Sequence, residues 1–239
     1  MPASRAVYLS AWGAYAVVAI VHLVAMLAHA PGVCTVTQPL ANPLLILALL
    51  AASTRADRTT VLVTAGLACS WMADLLPPFV PGLDERALPA VFFLPALILL
   101  CAALAPLWAR NRDPLRHFLI IPYGGIVIGL FLAFEKGAGS LLPLLIGYAI
   151  VLAVMVFLAS GVNALTWTGG TVFMLSNALL GMVWFLPGAW LPNSAMWVMA
   201  TYFLAQALIV AGLVQTLPQR RWATAAAPPA GPVFAVAES

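Results

Sequence analysis

ALPAVFFLPALILLCAALAP, residues 87–106, is a run of 20 residues without a charged side chain, and it decides the fold class. A helix needs roughly 20 mostly apolar residues to cross the hydrocarbon core of a bilayer. We therefore predict an all-α, polytopic membrane protein with eight transmembrane helices, because seven further runs of similar character share the chain. They lie at 9–29, 38–53, 60–77, 116–134, 140–159, 168–186 and 195–216.

The composition supports lipid as the solvent of this chain. Of the 239 residues, 64% are hydrophobic and 7% are charged, whereas soluble domains carry about 25% charged residues. The formal net charge of +3 is too small to indicate a nucleic-acid partner. The three cysteines have no CxxC spacing, so they predict neither a disulfide framework nor a zinc site. We expect no metal and no cofactor.

The basic residues are sorted by side of the membrane once the N-terminus is placed inside. Cytoplasmic segments of membrane proteins carry the excess of Lys and Arg, which predicts a cell-membrane protein with both termini in the cytoplasm. We expect one transmembrane domain over 1–217 and a disordered cytoplasmic tail, rich in Ala and Pro, over 218–239. The inside set is Arg5, Arg55, Arg58, Arg110, Arg112, Arg116, Arg220 and Arg221, and the outside set is Arg86 and Lys136.

The N-terminal run has a second interpretation. Arg5, an apolar stretch and the sequence Ala28-His29-Ala30 are also typical of a signal peptide. The stretch is long for a signal core, however, and Pro31 would directly follow the cleavage site. We therefore expect this run to be retained as the first helix.

Helices three and seven carry a similar pattern. In each, a glycine lies eight residues before an acid or an amide: Gly66 before Asp74, and Gly169 before Asn177. The two helices would run in the same direction, which indicates a parallel 4+4 repeat. Such repeats place a binding site between their halves. Chance similarity between apolar helices remains the alternative.

Asp74 is the one carboxylate well inside a predicted span. It lies roughly 21 Å along the third helix at about 1.5 Å per residue. An ionisable group at that depth costs a few kcal/mol, which favours a functional role for it. A carboxyl group held away from water can keep its proton and act as a general acid. The alternative is a solvated or capping residue just before Pro77-Pro78.

Other polar residues have helix packing as their simpler interpretation. Gln38 and Asn42, like Tyr202 and Gln206, have i, i+4 spacing and share a helix face, where they line a cavity or join helices. His22 and His29 are seven apart on the predicted first helix, where two interfacial histidines are expected. The spacing of Gly125 and Gly129 predicts close approach of a neighbouring helix.

Five segments together resemble a known family. They are residues 38–40 (QPL), 66–74 (GLACSWMAD), 92–94 (FFL), 170–177 (GTVFMLSN) and 202–209 (YFLAQALI). In this order they resemble the YhhN family of integral membrane proteins, whose characterised members are lysoplasmalogenases. The departures lose polar groups, which leaves activity and substrate open. Where the family pattern has Lys-Pro, Gly-Asp, His, Tyr and Ser-Asp, this chain has Gln38-Pro39, Ala73-Asp74, Ala96, Leu99 and Ser176-Asn177.

The resemblance implies a reaction and a set of site residues. Lysoplasmalogenases hydrolyse the vinyl-ether bond of a lysoplasmalogen to a fatty aldehyde and a glycerophospho-alcohol, so the implied partner is a lysophospholipid-like membrane lipid. Asp74 is the predicted catalytic acid, and Asn177 is its predicted catalytic partner. The predicted substrate-binding residues are Gln38, Ser70, Ser176, Tyr202 and Gln206.

Two other functions remain open from the sequence. A non-catalytic relative that binds or moves a lipid is favoured by the apolar residues Ala96 and Leu99, whereas the retained Asp74 favours the hydrolase. A small transporter built from two parallel halves is the third, and proteoliposome uptake of a polar solute would identify it.

Overall fold

The structure, a computed structural model, describes residues 2–79, 84, 86–110, 113–186, 188 and 191–216, and all elements in these residues are helical. The tail predicted over 218–239 and the domain boundary at 217 lie outside the described residues. The described α-helices are α1 (Pro2–Leu27), α2 (Pro31–Thr37), α3 (Ala41–Ala52), α4 (Arg58–Leu75), α5 (Ala87–Arg110), α6 (Ile120–Ala138), α7 (Leu142–Ser160), α8 (Ala164–Phe185) and α9 (Ser194–Val214).

Six stretches of the described chain are long and apolar enough to cross a membrane. One of them, Pro114–Ser160, contains both α6 and α7, which pack against each other across a 3-10 turn at Gly139–Leu141. Helix α4 carries Asp74 and is not among the six. The helices therefore indicate a multi-pass membrane protein, while the count of eight spans stays a prediction.

The second predicted span is longer than the 38–53 expected from sequence. It begins with α2 at Pro31, passes through a 3-10 turn at Gln38–Leu40 and continues as α3. Pro39 has no backbone N–H to donate, so the regular α-helical bonding is interrupted where it lies. This break places Gln38 in the turn and Asn42 at the start of α3.

Two glycines set close contacts between consecutive helices. A Cβ atom at Gly66 of α4 would lie 3.3 Å from the carbonyl oxygen of Ala96 in α5, and one at Gly169 of α8 would lie 2.7 Å from the backbone nitrogen of Ile209 in α9. Small residues at such positions let helix backbones approach each other in membranes. These are the two glycines of the predicted repeat, and each faces the helix that follows its own.

The same function was predicted for Gly125 and Gly129, and that prediction is wrong. A Cβ atom at either position would have no neighbour within 4 Å. The spacing places both on one face of α6, but none of the described helices approaches that face closely.

Helix α1 packs against α3 and α9. The Tyr15 hydroxyl donates to the carbonyl oxygen of Phe203 at 2.6 Å, and buried His22 is hydrogen-bonded through Nδ1 to Thr37 at 2.8 Å. The helix ends at Leu27, so the prediction that His29 lies on the first helix with His22 is wrong. His29 instead lies in the turn that leads into α2.

Candidate functional site

Asp74 lies one residue before the end of α4 and accepts three hydrogen bonds. Gln38 donates through Nε2 to Oδ1 at 3.2 Å, Asn42 donates through Nδ2 to Oδ2 at 2.8 Å, and the Tyr202 hydroxyl donates to Oδ2 at 2.9 Å. The partners come from the 3-10 turn, α3 and α9, so the carboxyl group joins three separate parts of the bundle. Two of them, Gln38 and Tyr202, are residues that the sequence predicted for the site.

The partners of Asp74 also hold one another. Asn42 donates through Nδ2 to the Tyr202 hydroxyl at 2.8 Å, and both residues are buried. The Tyr202 ring packs against Phe93 with ring centroids 5.7 Å apart and against Phe173 at 6.1 Å. Aromatic contacts of this kind fix the ring orientation, so the hydroxyl is held toward the carboxyl group.

A cavity of about 760 Å³ opens on the Gln38 side of Asp74. Asp74 and Gln38 line it together with apolar side chains that include Met26, Leu75 and Phe79, whereas Asn42 and Tyr202 do not. The two carboxyl oxygens of Asp74 therefore differ in their hydrogen bonding. Oδ2 receives two short hydrogen bonds from inside the protein, while Oδ1 receives one longer bond from a residue of the cavity wall.

The donors to Asp74 are neutral groups. Among the described residues, the ion pairs are Arg86 with Asp84 and Arg116 with Asp113, and neither involves Asp74. Hydrogen bonds alone therefore balance a charge on this carboxylate. A carboxyl group in such surroundings can exchange a proton with a ligand in the cavity.

Asn177 lies in a different place. Its Oδ1 accepts from the Tyr148 hydroxyl at 2.7 Å, and its Nδ2 donates to the carbonyl oxygen of Phe173 at 2.8 Å. It lines a separate, mostly apolar cavity of about 110 Å³ between α6, α7 and α8, with Arg86 in its wall. No hydrogen bond joins Asn177 to Asp74, so their pairing as catalytic partners stays a prediction.

Three other predicted residues lie outside both cavities. Ser70 is buried one turn before Asp74, and Ser176 donates to the carbonyl oxygen of Val198 at 2.8 Å, which joins α8 to α9. Gln206 is buried one turn after Tyr202, and its Oε1 has no hydrogen-bond partner among the described residues. Their predicted roles in substrate binding stay predictions.

The sequence interpretation undervalued Asn42, which was treated chiefly as a helix-packing residue. Its i, i+4 spacing from Gln38 was the available signal, and both side chains reach Asp74. Tyr148 was missed altogether, since a single tyrosine in an apolar run has no distinctive pattern. In the part of the chain that the structure describes, no cluster of three His, Cys, Asp or Glu residues could hold a metal ion.

No curated protein and no solved structure matches the chain. The family model described as the YhhN family matches residues 33–213, a stretch that runs from α2 to α9 and includes Asp74 and its three hydrogen-bond donors. This match covers more than half of the chain, and the protein therefore belongs to the YhhN family.

Proposed function

We propose that this protein is a membrane-embedded hydrolase that cleaves the vinyl-ether bond of lysophospholipid-like lipids, with Asp74 as the general acid. The main support for this proposal is the setting of the Asp74 carboxyl group. Asp74 is held by three neutral donors and faces a cavity of about 760 Å³ with largely apolar walls. Membership of the YhhN family is consistent with this reaction.

Oxygen Oδ1 is the proposed proton donor. Because Oδ2 already accepts from Asn42 and Tyr202, we assign the proton on Asp74 to Oδ1, the oxygen bonded to the cavity-lining Gln38. This proton is transferred to the alkenyl carbon that is not bonded to oxygen, and an oxocarbenium ion forms. The carboxylate that results is stabilised by its donors, and it stabilises the cation in turn.

Water completes the reaction. It adds to the carbon bonded to the ether oxygen, and the proton that it loses returns to Asp74. The hemiacetal hydroxyl then loses its proton as the carbon bond to the glycerol oxygen breaks, and that oxygen takes up a proton in exchange. The products are a fatty aldehyde and a glycerophospho-alcohol. One water is consumed, and the acid is regenerated in its protonated form.

The same proposal includes an arrangement in the membrane. Counting α6 and α7 separately and adding α4 gives eight spans in one domain over 1–217, with both termini in the cytoplasm of a cell-membrane protein. A parallel 4+4 repeat is supported by three matched features: the inter-helix glycines Gly66 and Gly169, the polar pairs Asn42–Asp74 and Tyr148–Asn177, and two side-chain caps. The caps are Asp57 on α4 and Asn163 on α8.

A non-catalytic lipid-binding protein is the second candidate. It is favoured by Ala96, which is 2% exposed and contacts α4 where the family pattern has a histidine. Such a protein would bind the lipid in the Asp74 cavity without releasing aldehyde.

Aldehyde release from a lysoplasmalogen by purified protein in detergent tests the proposal. We expect release by the wild type and at least a hundredfold slower release by Asp74→Asn, which has no acidic proton to give. Asp113→Asn is the matched control, because Asp113 is a solvent-accessible carboxylate that caps a 3-10 helix away from the Asp74 cavity. Equal rates for wild type and Asp74→Asn would refute the assigned role, and no release by folded wild type would favour the lipid-binding protein.

A further inference from the structure

The turn after α1 contains an unusual residue. His29 has φ of 54°, in the left-handed region that glycine adopts without strain. The Ala30 N–H donates to the carbonyl oxygen of Ala25 at 2.9 Å and closes the turn, so His29 occupies the position where helices commonly end on glycine. The other non-glycine residue with positive φ in the described chain is Asn193, and Asn and His are both among the residue types enriched in this conformation.

The backbone alone gives no reason for a histidine at this position. Glycine would form the same turn at lower free energy, and strained residues that persist are concentrated at functional sites. The side chain of His29 is exposed and forms no hydrogen bond or ion pair with the described residues. A role in folding therefore does not account for the histidine side chain at this position, so we considered the residues around it.

Those surroundings are the cavity of Asp74, since His29 and Asp74 both line it. No Lys or Arg is among the described lining residues, so His29 is the lining side chain there of a basic residue type. The ring can donate N–H groups to an anion, and charge-assisted hydrogen bonds of this type are the strong ones.

We propose that His29 binds the phosphate of a single-chain phospholipid whose alkenyl chain reaches Asp74. This inference rests on the proposed function, in which the reacting bond lies at Asp74. In a lysophospholipid the glycerol unit separates the ether oxygen from the phosphate. An acid for the bond and an imidazole for the head group, both in the wall of one largely apolar cavity, fit the two ends of that unit.

The test uses two ether lipids with the same saturated alkyl chain, neither of which has a vinyl-ether bond to cleave. One is a 1-O-alkyl lysophosphocholine, and the other is a 1-O-alkylglycerol without phosphate. Binding to the full-length protein is measured in maltoside micelles, because that detergent contains no phosphate. Hydrolysis of a lysoplasmalogen is measured separately on the same preparations.

For His29→Gly we expect about tenfold weaker binding of the phosphate-containing lipid, as for loss of one charge-assisted hydrogen bond. Binding of the alkylglycerol should stay within about twofold of wild type, and the melting temperature should rise because the strain is relieved. His29→Asn is the matched variant. It tolerates the left-handed backbone but carries no charge, so it should lose the same selectivity.

The outcomes separate this inference from the proposed function. If His29→Gly and His29→Asn bind both lipids as the wild type does, the phosphate role of His29 is wrong, even where the wild type releases aldehyde. If phosphate-selective binding depends on His29 while the wild type releases no aldehyde, the head-group site stands and the hydrolase proposal fails.

Discussion

Removing the Tyr202 hydroxyl tests whether the hydrogen bonds to Asp74 contribute to the reaction. In Tyr202→Phe, Oδ2 of Asp74 loses the donor at 2.9 Å and keeps the one from Asn42 at 2.8 Å. The phenylalanine ring should retain the contacts with Phe93 and Phe173, whose ring centroids lie 5.7 Å and 6.1 Å from that of Tyr202. The change is therefore confined to one hydroxyl group beside the carboxyl oxygen.

The expected magnitude follows from the charge that develops on Asp74. Giving up its proton leaves a carboxylate, and a hydrogen bond to a charged group contributes about 1.5–3 kcal/mol. Each 1.36 kcal/mol changes a rate about tenfold. Since the donor strengthens its bond as the charge forms, Tyr202→Phe should lower kcat for aldehyde release by about 10- to 100-fold. KM should change little, because Tyr202 does not line the cavity.

Tyr148→Phe provides the matched control. The Tyr148 hydroxyl is also buried and also donates one short bond, at 2.7 Å, but to the Asn177 amide. Both variants should lower thermal stability, Tyr148→Phe by about 1 kcal/mol and Tyr202→Phe by more, because the Tyr202 hydroxyl also accepts from Asn42. Only Tyr202→Phe should slow the reaction. Unchanged kcat in Tyr202→Phe would refute the reasoning. Equal slowing by both variants would instead place Asn177 in the reacting centre.

Two further perturbations test the packing and the second polar pair. Gly169→Ala should lower the free energy of unfolding by about 1–3 kcal/mol, because its Cβ atom would lie 2.7 Å from the Ile209 nitrogen. Gly125→Ala is the control and should not lower the melting temperature, since its Cβ atom would have no described neighbour within 4 Å. Equal melting temperatures for the two variants would contradict the α8–α9 contact. Asn177→Asp should lower the melting temperature, because it replaces the Nδ2 donor to Phe173 with an oxygen that faces a carbonyl. The unpaired groups should lower the free energy of unfolding by about 1–3 kcal/mol. A more stable variant would show that this hydrogen bond is not formed.

The helical fold and the position of Asp74 followed from the sequence for physical reasons. Apolar runs of membrane-spanning length have few alternatives to helices in lipid, since every backbone polar group must be paired. One carboxylate within such a run is conspicuous because of its cost. Helix α4 was predicted as a span from its apolar run and from the sorting of basic residues, although it is less apolar than the six stretches that are long and apolar enough to cross a membrane.

The partners of Asp74 were less accessible to prediction. Gln38 and Tyr202 were identified through family resemblance, but Asn42 had the same spacing as residues that only join helices. Its contribution depends on the interruption at Pro39, which sets the rotation between α2 and α3. The left-handed conformation of His29 gives no sequence signal either, because glycine is the residue expected there.

The placement of Asn177 has a geometric explanation if the two halves are a parallel repeat. Equivalent residues of such a repeat lie on either side of its axis and meet only when they are close to that axis. Asp74 and Asn177 have matched helix partners, Asn42 and Tyr148, yet each lines its own cavity, of about 760 Å³ and about 110 Å³. Among the described lining residues, only the larger cavity contains an acid. An amide that accepts from Tyr148 and donates to Phe173 has no proton to give to an alkenyl carbon. If the proposed repeat holds, the chemistry needs one half of the bundle for reaction, and the other half has the corresponding polar pair without an acid.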